Sequence, residues 1–240
     1  MKQRLSSQLK TLASVVLVSG MLATTAVAQS FSGVSWTRDT SNTPKQDKSG
    51  SGKTPSTSGA TNNQGRYRFE ITTTSTSSGT QRQEFKYERR SGYHRLDGKF
   101  RIVSSQPNFD RVAVAQTHDD QTGSEGVFSI YQVRRNGSGY EFGVQGDTKE
   151  ASNGYSRFDT VEFELDKWYR LNIRTLSSTV DNSFEIAQLY NEHGQLIWQE
   201  TVYGGGEDLQ YKKVGAYRLT NGYGRVIVDW EQMKFYNGSK

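Results

Sequence analysis

Cysteine is absent, proline occurs three times and histidine three times. The first absence removes disulfide scaffolds, thiol catalysis and cysteine-based zinc sites, and so few imidazoles leave little material for a metal cluster. Proline scarcity excludes collagen-like and proline-rich linker architectures. Hydrophobic residues make up only 32% of the 240 residues, and no glycine-rich phosphate loop, nucleophile elbow, H-E-x-x-H or EF-hand pattern occurs. Nucleotide-binding, serine-hydrolase and metalloprotease readings therefore have no foothold. Against these absences stand 13 Tyr, 11 Phe and 4 Trp, too many aromatics for a disordered polar chain. The chain is expected to fold around a thin aromatic core.

Lys2, Arg4 and Lys10 precede the apolar stretch LASVVLVSGMLATTAVA, which ends in Ala26-Val27-Ala28. A basic start, an apolar middle and a small-x-small end are the pattern of a secretory signal peptide, so residues 1–28 are expected to be removed on export. Ser19, Gly20, Thr24 and Thr25 interrupt the run, which disfavours a permanent membrane span. Cleavage takes away three cations and no acid, lowering the formal charge from +5 to +2. Nothing in that near balance points to nucleic acid. The expected location is secreted or periplasmic, with no membrane span after cleavage.

Residues 29–65 are rich in Ser, Thr, Gly and Asn and are expected to be flexible, with a possible first strand around Phe31 to Trp36. From Arg66 to Lys240 the texture changes. Short segments rich in Tyr, Phe, Val, Ile and Thr, such as RYRFEITTT, GVFSIYQV and WYRLNIRT, alternate with Gly, Asn, Asp and Ser punctuation. About eleven strands and no persuasive helix predict an all-β domain over 66–240, a sandwich or barrel.

Three segments could carry chemistry. Over Arg82 to Arg90, the two-residue period of a strand puts Arg82, Glu84, Lys86, Glu88 and Arg90 on one face and Phe85 and Tyr87 on the other. Such a row either presents a fixed guanidinium to an anion or protects an edge strand by charge. In the second segment, RVAVAQTH, Gln116 and His118 share a face, but so do the apolar Val112 and Val114, so a twist, a bulge or a half-buried cleft floor must be assumed. The third places Tyr211, Lys213, Gly215 and Tyr217 on one face, with the glycine as a gap where a ligand could approach. The acids of Glu162-Phe163-Glu164-Leu165-Asp166 share one face and read as a solvated surface, not as a glycosidase pair.

In this order the motifs R82-Q-E84-F-K86, Q116-T-H118 and Y211-K-K213-V-G215-A-Y217 resemble the alginate lyase 2 superfamily, most closely polysaccharide lyase family 7. The departures are Lys86 for a second arginine, Thr117 for Ile or Val, Lys212 for Phe and Val214 for Ala. The resemblance implies a jelly-roll β-sandwich of two antiparallel sheets with a concave substrate-binding cleft. It also implies β-elimination on a uronate polymer, with Arg82, Gln116, His118 and Tyr211 catalytic. Glu84 would orient Arg82, and Lys86, Arg90, Lys213 and Tyr217 would complete substrate binding. No cofactor or metal is implied; the partner is an anionic polysaccharide, alginate by default, and the expected state is a monomer. Thr117 leaves the exact polysaccharide open; a glucuronan lyase is the alternative within the enzyme class, a non-catalytic acidic-glycan lectin is the competing class, and a glycoside hydrolase is third.

Overall fold

The computed structural model describes residues 30–42, 44–49, 56–57, 65–73, 81–104, 109–121, 124–146, 156–178, 183–204, 209–219 and 224–240. The expected signal peptide lies outside them. Fifteen strands and no helix occupy these residues. Each of the eleven strand segments read from the sequence has its counterpart, from β4 (Tyr67–Thr73) through β15 (Gly224–Ser239). Sheet pairing also reaches into the 29–65 stretch. There β1 (Ser35–Arg38) pairs with β15, β2 (Lys45–Ser49) with β5 (Gln81–Lys86), and β3 (Ser56–Thr57) with β4. The compact unit accordingly begins at Phe31, before the texture change at Arg66.

The strands form two antiparallel sheets. One runs β13 (Leu196–Gly204), β12 (Ser183–Tyr190), β11 (Tyr169–Ser177), β6 (Gly92–Ile102), β15, β4 and β3, with β1 added along the far half of β15. The other runs β10 (Ser156–Phe163), β9 (Gly139–Gly146), β8 (Ser124–Asn136), β7 (Arg111–Gln121), β14 (Gln210–Arg218), β5 and β2. The architecture is an open jelly-roll β-sandwich. A two-residue loop joins β8 to β9, and Gly137 at φ 58 supplies the positive dihedral that such a hairpin needs.

Phe100 sits at the centre of the interior, stacked on Phe163 at 5.7 Å and packed on Trp230 at 5.3 Å, while Phe142 meets Trp198 edge-on at 5.1 Å. Phe142 and Phe163 come from one sheet and the others from the second, so this aromatic layer joins the two. Burying each such ring is worth about 1.5–3 kcal/mol, enough for a chain with few aliphatics to hold a sandwich together.

Candidate active site

Strand order brings the three motif segments together. β5, β14 and β7 are neighbours near the centre of the seven-stranded sheet, and directly opposed residues on paired strands share a face. Arg82 opposes Tyr217, Glu84 opposes Gly215, and Lys86 opposes Lys213, which in turn opposes Gln116. Tyr211 opposes His118. Eight of the nine residues singled out from the sequence thus lie on the outward face of one three-stranded patch. Of the ways in which Gln116 and His118 could turn away from the core, the structure shows a bulge. The β7–β8 register shifts between Ala113 and Ala115 and the β14–β7 register between Val214 and Tyr217, leaving Val112 and Val114 in the interior.

Arg90 is the exception. The sequence period puts it in line with Arg82, but β5 ends at Lys86, and the irregular turn Tyr87–Arg89 resets the alternation before Arg90 bridges Gln210. Its guanidinium holds Asp39 at 2.8 Å and Glu88 at 3.3 Å, which ties the end of β1 to the seven-stranded sheet. Arg90 is a structural tie and not part of the patch. Gly215 also differs from expectation. A Cβ there would come within 2.7 Å of Glu84 Cα, so the missing side chain admits the β5 backbone, not a ligand.

Within the patch the side chains form a continuous set. The Gln116 amide donates from Nε2 to Glu84 Oε1 at 2.6 Å, and Gln116 Oε1 lies 3.1 Å from His118 Nε2. The imidazole stacks on the Tyr211 ring at 5.1 Å, nearly parallel at 8°. Over the same ring stand two ammonium groups, Lys86 at 4.1 Å and Lys213 at 5.7 Å from its centroid. Arg82 is held by Asp47, not by Glu84; the distance is 3.2 Å, and Asp47 also takes Lys213 at 2.8 Å. Asp47, on edge strand β2, is a member of the site that the sequence reading missed. Nothing in its polar, low-complexity surroundings gives it away, because its role depends on β2 pairing with β5.

The patch is shielded from water: Tyr211 and Glu84 are 0% exposed, Gln116 and Lys213 1%, and His118 6%. Burial drives Glu84 up to about 7, against the opposing pull of Lys213, the Gln116 hydrogen bond and Arg82. For Asp47 burial also pushes upward, but Lys213, Arg82 and Lys86 outweigh it and hold the carboxyl below its ordinary range. Beside the patch opens a cavity of about 570 Å³ whose lining includes Lys45, Arg82, Lys86 and Arg89 facing Asp47 and Glu88. Its cationic excess suits an acidic ligand.

Alternation sends Thr117 and Lys212, two of the departures, into the interior. Lys212 forms an ion pair with Glu185 of β12, and Thr117 Oγ1 lies between them at 2.6 Å from Nζ and 2.7 Å from Glu185 Oε2. Thr175, Ser129 and Tyr131 donate their hydroxyls to the same carboxylate. Thr117 therefore faces Glu185, away from the outward patch. Among the described residues no cluster of His, Asp and Glu could hold a metal ion, and no helix is long and apolar enough to cross a membrane.

The open two-sheet β-sandwich matches the fold of solved alginate lyase structures. No protein-family model and no curated protein sequence matches the chain. Among solved structures it is similar to the marine family 7 alginate lyase AlyA1 from Zobellia galactanivorans, at 14% identity and a TM-score of 0.52 over 72% of this chain and 78% of that one. An alginate lyase from Pseudomonas aeruginosa superposes with a TM-score of 0.53 at 14% identity, covering 75% and 83%. An endo-β-1,4-glucuronan lyase from the fungus Trichoderma reesei does so at 0.52 and 11%, covering 85% and 91%.

Proposed function

We propose that the chain is an exported polysaccharide lyase that cleaves a uronate polymer, alginate first, by β-elimination to 4,5-unsaturated oligosaccharides. The observation that carries this reading is the register that sets Arg82, Gln116, His118 and Tyr211 on one face of three adjacent strands. Elimination begins with loss of the proton at C5, whose bonding electrons build negative charge on the adjacent carboxylate. Groups that neutralise that charge lower the barrier. Arg82 supplies a guanidinium fork, and Gln116 retains a second amide N–H beyond the one given to Glu84. His118 or Tyr211 accepts the C5 proton, the C4–C5 double bond forms, and the C4–O4 bond breaks. Tyr211 delivers a proton to the departing O4. The ammonium groups of Lys86 and Lys213 stand over its ring, 4.1 and 5.7 Å from the centroid, and the one phenolic oxygen serves both proton transfers.

Lys86, Lys213 and Tyr217 hold neighbouring sugars, and the cationic cavity beside β2 accepts the next carboxylate. The basic, apolar and small-x-small order of residues 1–28 supports export to the periplasm or medium. A glucuronan lyase is the second reading, favoured by the similarity to the Trichoderma enzyme, which spans the larger share of both chains. The test is to incubate the mature chain with alginate, poly-mannuronate, poly-guluronate and glucuronan while following ultraviolet absorbance of the new double bond. A rise on one of the first three supports the alginate reading, and a rise on glucuronan alone supports the second. Flat traces on every polymer, with binding retained, would replace both with a lectin.

A further inference from the structure

The patch contains a buried carboxylate that the elimination chemistry does not use. Glu84 is fully buried, one of its oxygens takes the Gln116 amide at 2.6 Å, and the other, Oε2, has no hydrogen-bond partner among the described residues. An ionised carboxylate can only accept hydrogen bonds, so Gln116 must turn its NH₂ toward Glu84 and its oxygen the other way. That oxygen lies 3.1 Å from His118 Nε2, where only an N–H makes a hydrogen bond. A neutral imidazole with its proton on Nε2 carries its lone pair on Nδ1.

We propose that Glu84 is a positioning residue which, through Gln116, fixes His118 as the Nε2–H tautomer and so keeps Nδ1 as the basic nitrogen. The proposal rests on the lyase reading for its purpose and on the hydrogen-bond chain for its content. Its logic is that of the carboxylate–histidine pairs that orient catalytic imidazoles elsewhere, with an amide inserted as relay. Protonated Glu84 could donate instead of accept. Gln116 would then be free to turn its NH₂ toward His118, which favours the opposite tautomer. The groups facing Glu84 set where that occurs: Arg82 and Lys86 on its own strand, Lys213, Tyr211 and Tyr217 on β14, Lys45 and Asp47 on β2, and His118 on β7. Burial against this mixed surround holds Glu84 near 7, so the relay changes state within the ordinary working range of pH.

The test uses the full mature chain labelled with ¹⁵N-histidine and long-range ¹H–¹⁵N correlation spectra, without polymer. Wild type at a pH where Glu84 is ionised is expected to give His118 as the Nε2–H tautomer. Glu84→Met, which removes the acceptor at similar length, is expected to bring up the Nδ1–H form and to lower kcat by about tenfold or more with little change in KM. Glu84→Gln keeps an acceptor oxygen that does not titrate, so it serves as the second variant if methionine prevents folding. Its tautomer population should not swing as pH falls through the Glu84 range, where that of wild type does. An Nδ1–H tautomer in wild type, or populations that ignore Glu84→Met, or a swing that persists in Glu84→Gln, overturns the relay. The lyase reading fails separately: absent ultraviolet product with the expected tautomers refutes the lyase and leaves the relay standing.

Discussion

At the scale of single residues, one sheet face carries the groups proposed to move protons, His118 and Tyr211, beside groups that hold charge, Arg82, Lys86 and Lys213. Tyr211→Phe removes only the phenolic oxygen and keeps the ring that stacks on His118. It should lower kcat by about 10²–10⁴-fold while polymer binding survives, measured by product absorbance and by calorimetric titration. His118→Ala should cost a similar factor if His118 takes the C5 proton, and much less if Tyr211 does both jobs. Glu84 carries an opposite cost in stability. Its folded pKa, near 7, lies above the ordinary 4.5. Its stabilising contribution is therefore complete below about pH 4.5 and is lost as pH rises through 7. Glu84→Gln should raise stability at pH 8 by something on the order of 1–3 kcal/mol and erase that part of the pH dependence, as denaturant melts at pH 5 and pH 8 will register.

At the scale of elements, β14 is the strand on which site and scaffold meet. Tyr211 and Lys213 point to the outward patch, whereas Lys212 between them reaches inward to Glu185. Lys212, Thr117 and Glu185 link β14 and β7 to β12 of the opposite sheet. Lys212 and the hydroxyls around Glu185 outweigh burial and keep that carboxyl below its ordinary range. Lys212→Met should strand the charge and destabilise the fold by about 3–5 kcal/mol. Pairing it with Glu185→Leu should recover much of that loss, as thermal melts of single and double variants can decide. Gly215→Ala should separate β5 from β14 and remove activity together with stability, since no alanine fits where the β5 backbone passes.

This strand also marks how far the sequence can be read. Strand positions and the face-sharing of Arg82, Glu84 and Lys86, of Gln116 with His118, and of Tyr211 with Lys213 follow from a two-residue period and need no coordinates. The conflict of Val112 and Val114 with Gln116 and His118 is legible as well, but that a bulge at Val114 resolves it is seen only from the strand pairing. Arg90 is not legible: the irregular turn after Lys86 breaks the period through the pairing of Arg90 with Gln210, a contact between segments far apart in sequence. Asp47 and the Lys212–Glu185 pair are hidden for the same reason. Each depends on which strands lie side by side or face to face, and local pattern carries no record of that.

At the scale of the whole molecule, the sandwich joins an aromatic layer, an inner ion pair and an outward patch through two sheets with no disulfide. Two covered carboxylates, Asp39 and Asp97, are tied to arginines. Burial works against Asp39, but hydrogen bonds from Ser41, Arg90 and Asn237 bring it down to about 2, and Arg170 and Arg95 similarly hold Asp97 low. Such groups stabilise the fold above their unfolded pKa, near 4, and lose that contribution as pH falls toward their folded values. Unfolding on acidification should therefore begin below about pH 4, monitored by near-ultraviolet circular dichroism.

The central proposal is that Gln116, His118 and Tyr211, on the face they share with Arg82, remove the C5 proton of a bound sugar acid. The most direct measurement is mass spectrometry of the products formed in H₂¹⁸O from the polymer that gives the strongest absorbance signal. Elimination predicts fragments that lack a molecule of water and carry no ¹⁸O at the new chain end. Hydrated fragments bearing ¹⁸O would contradict it.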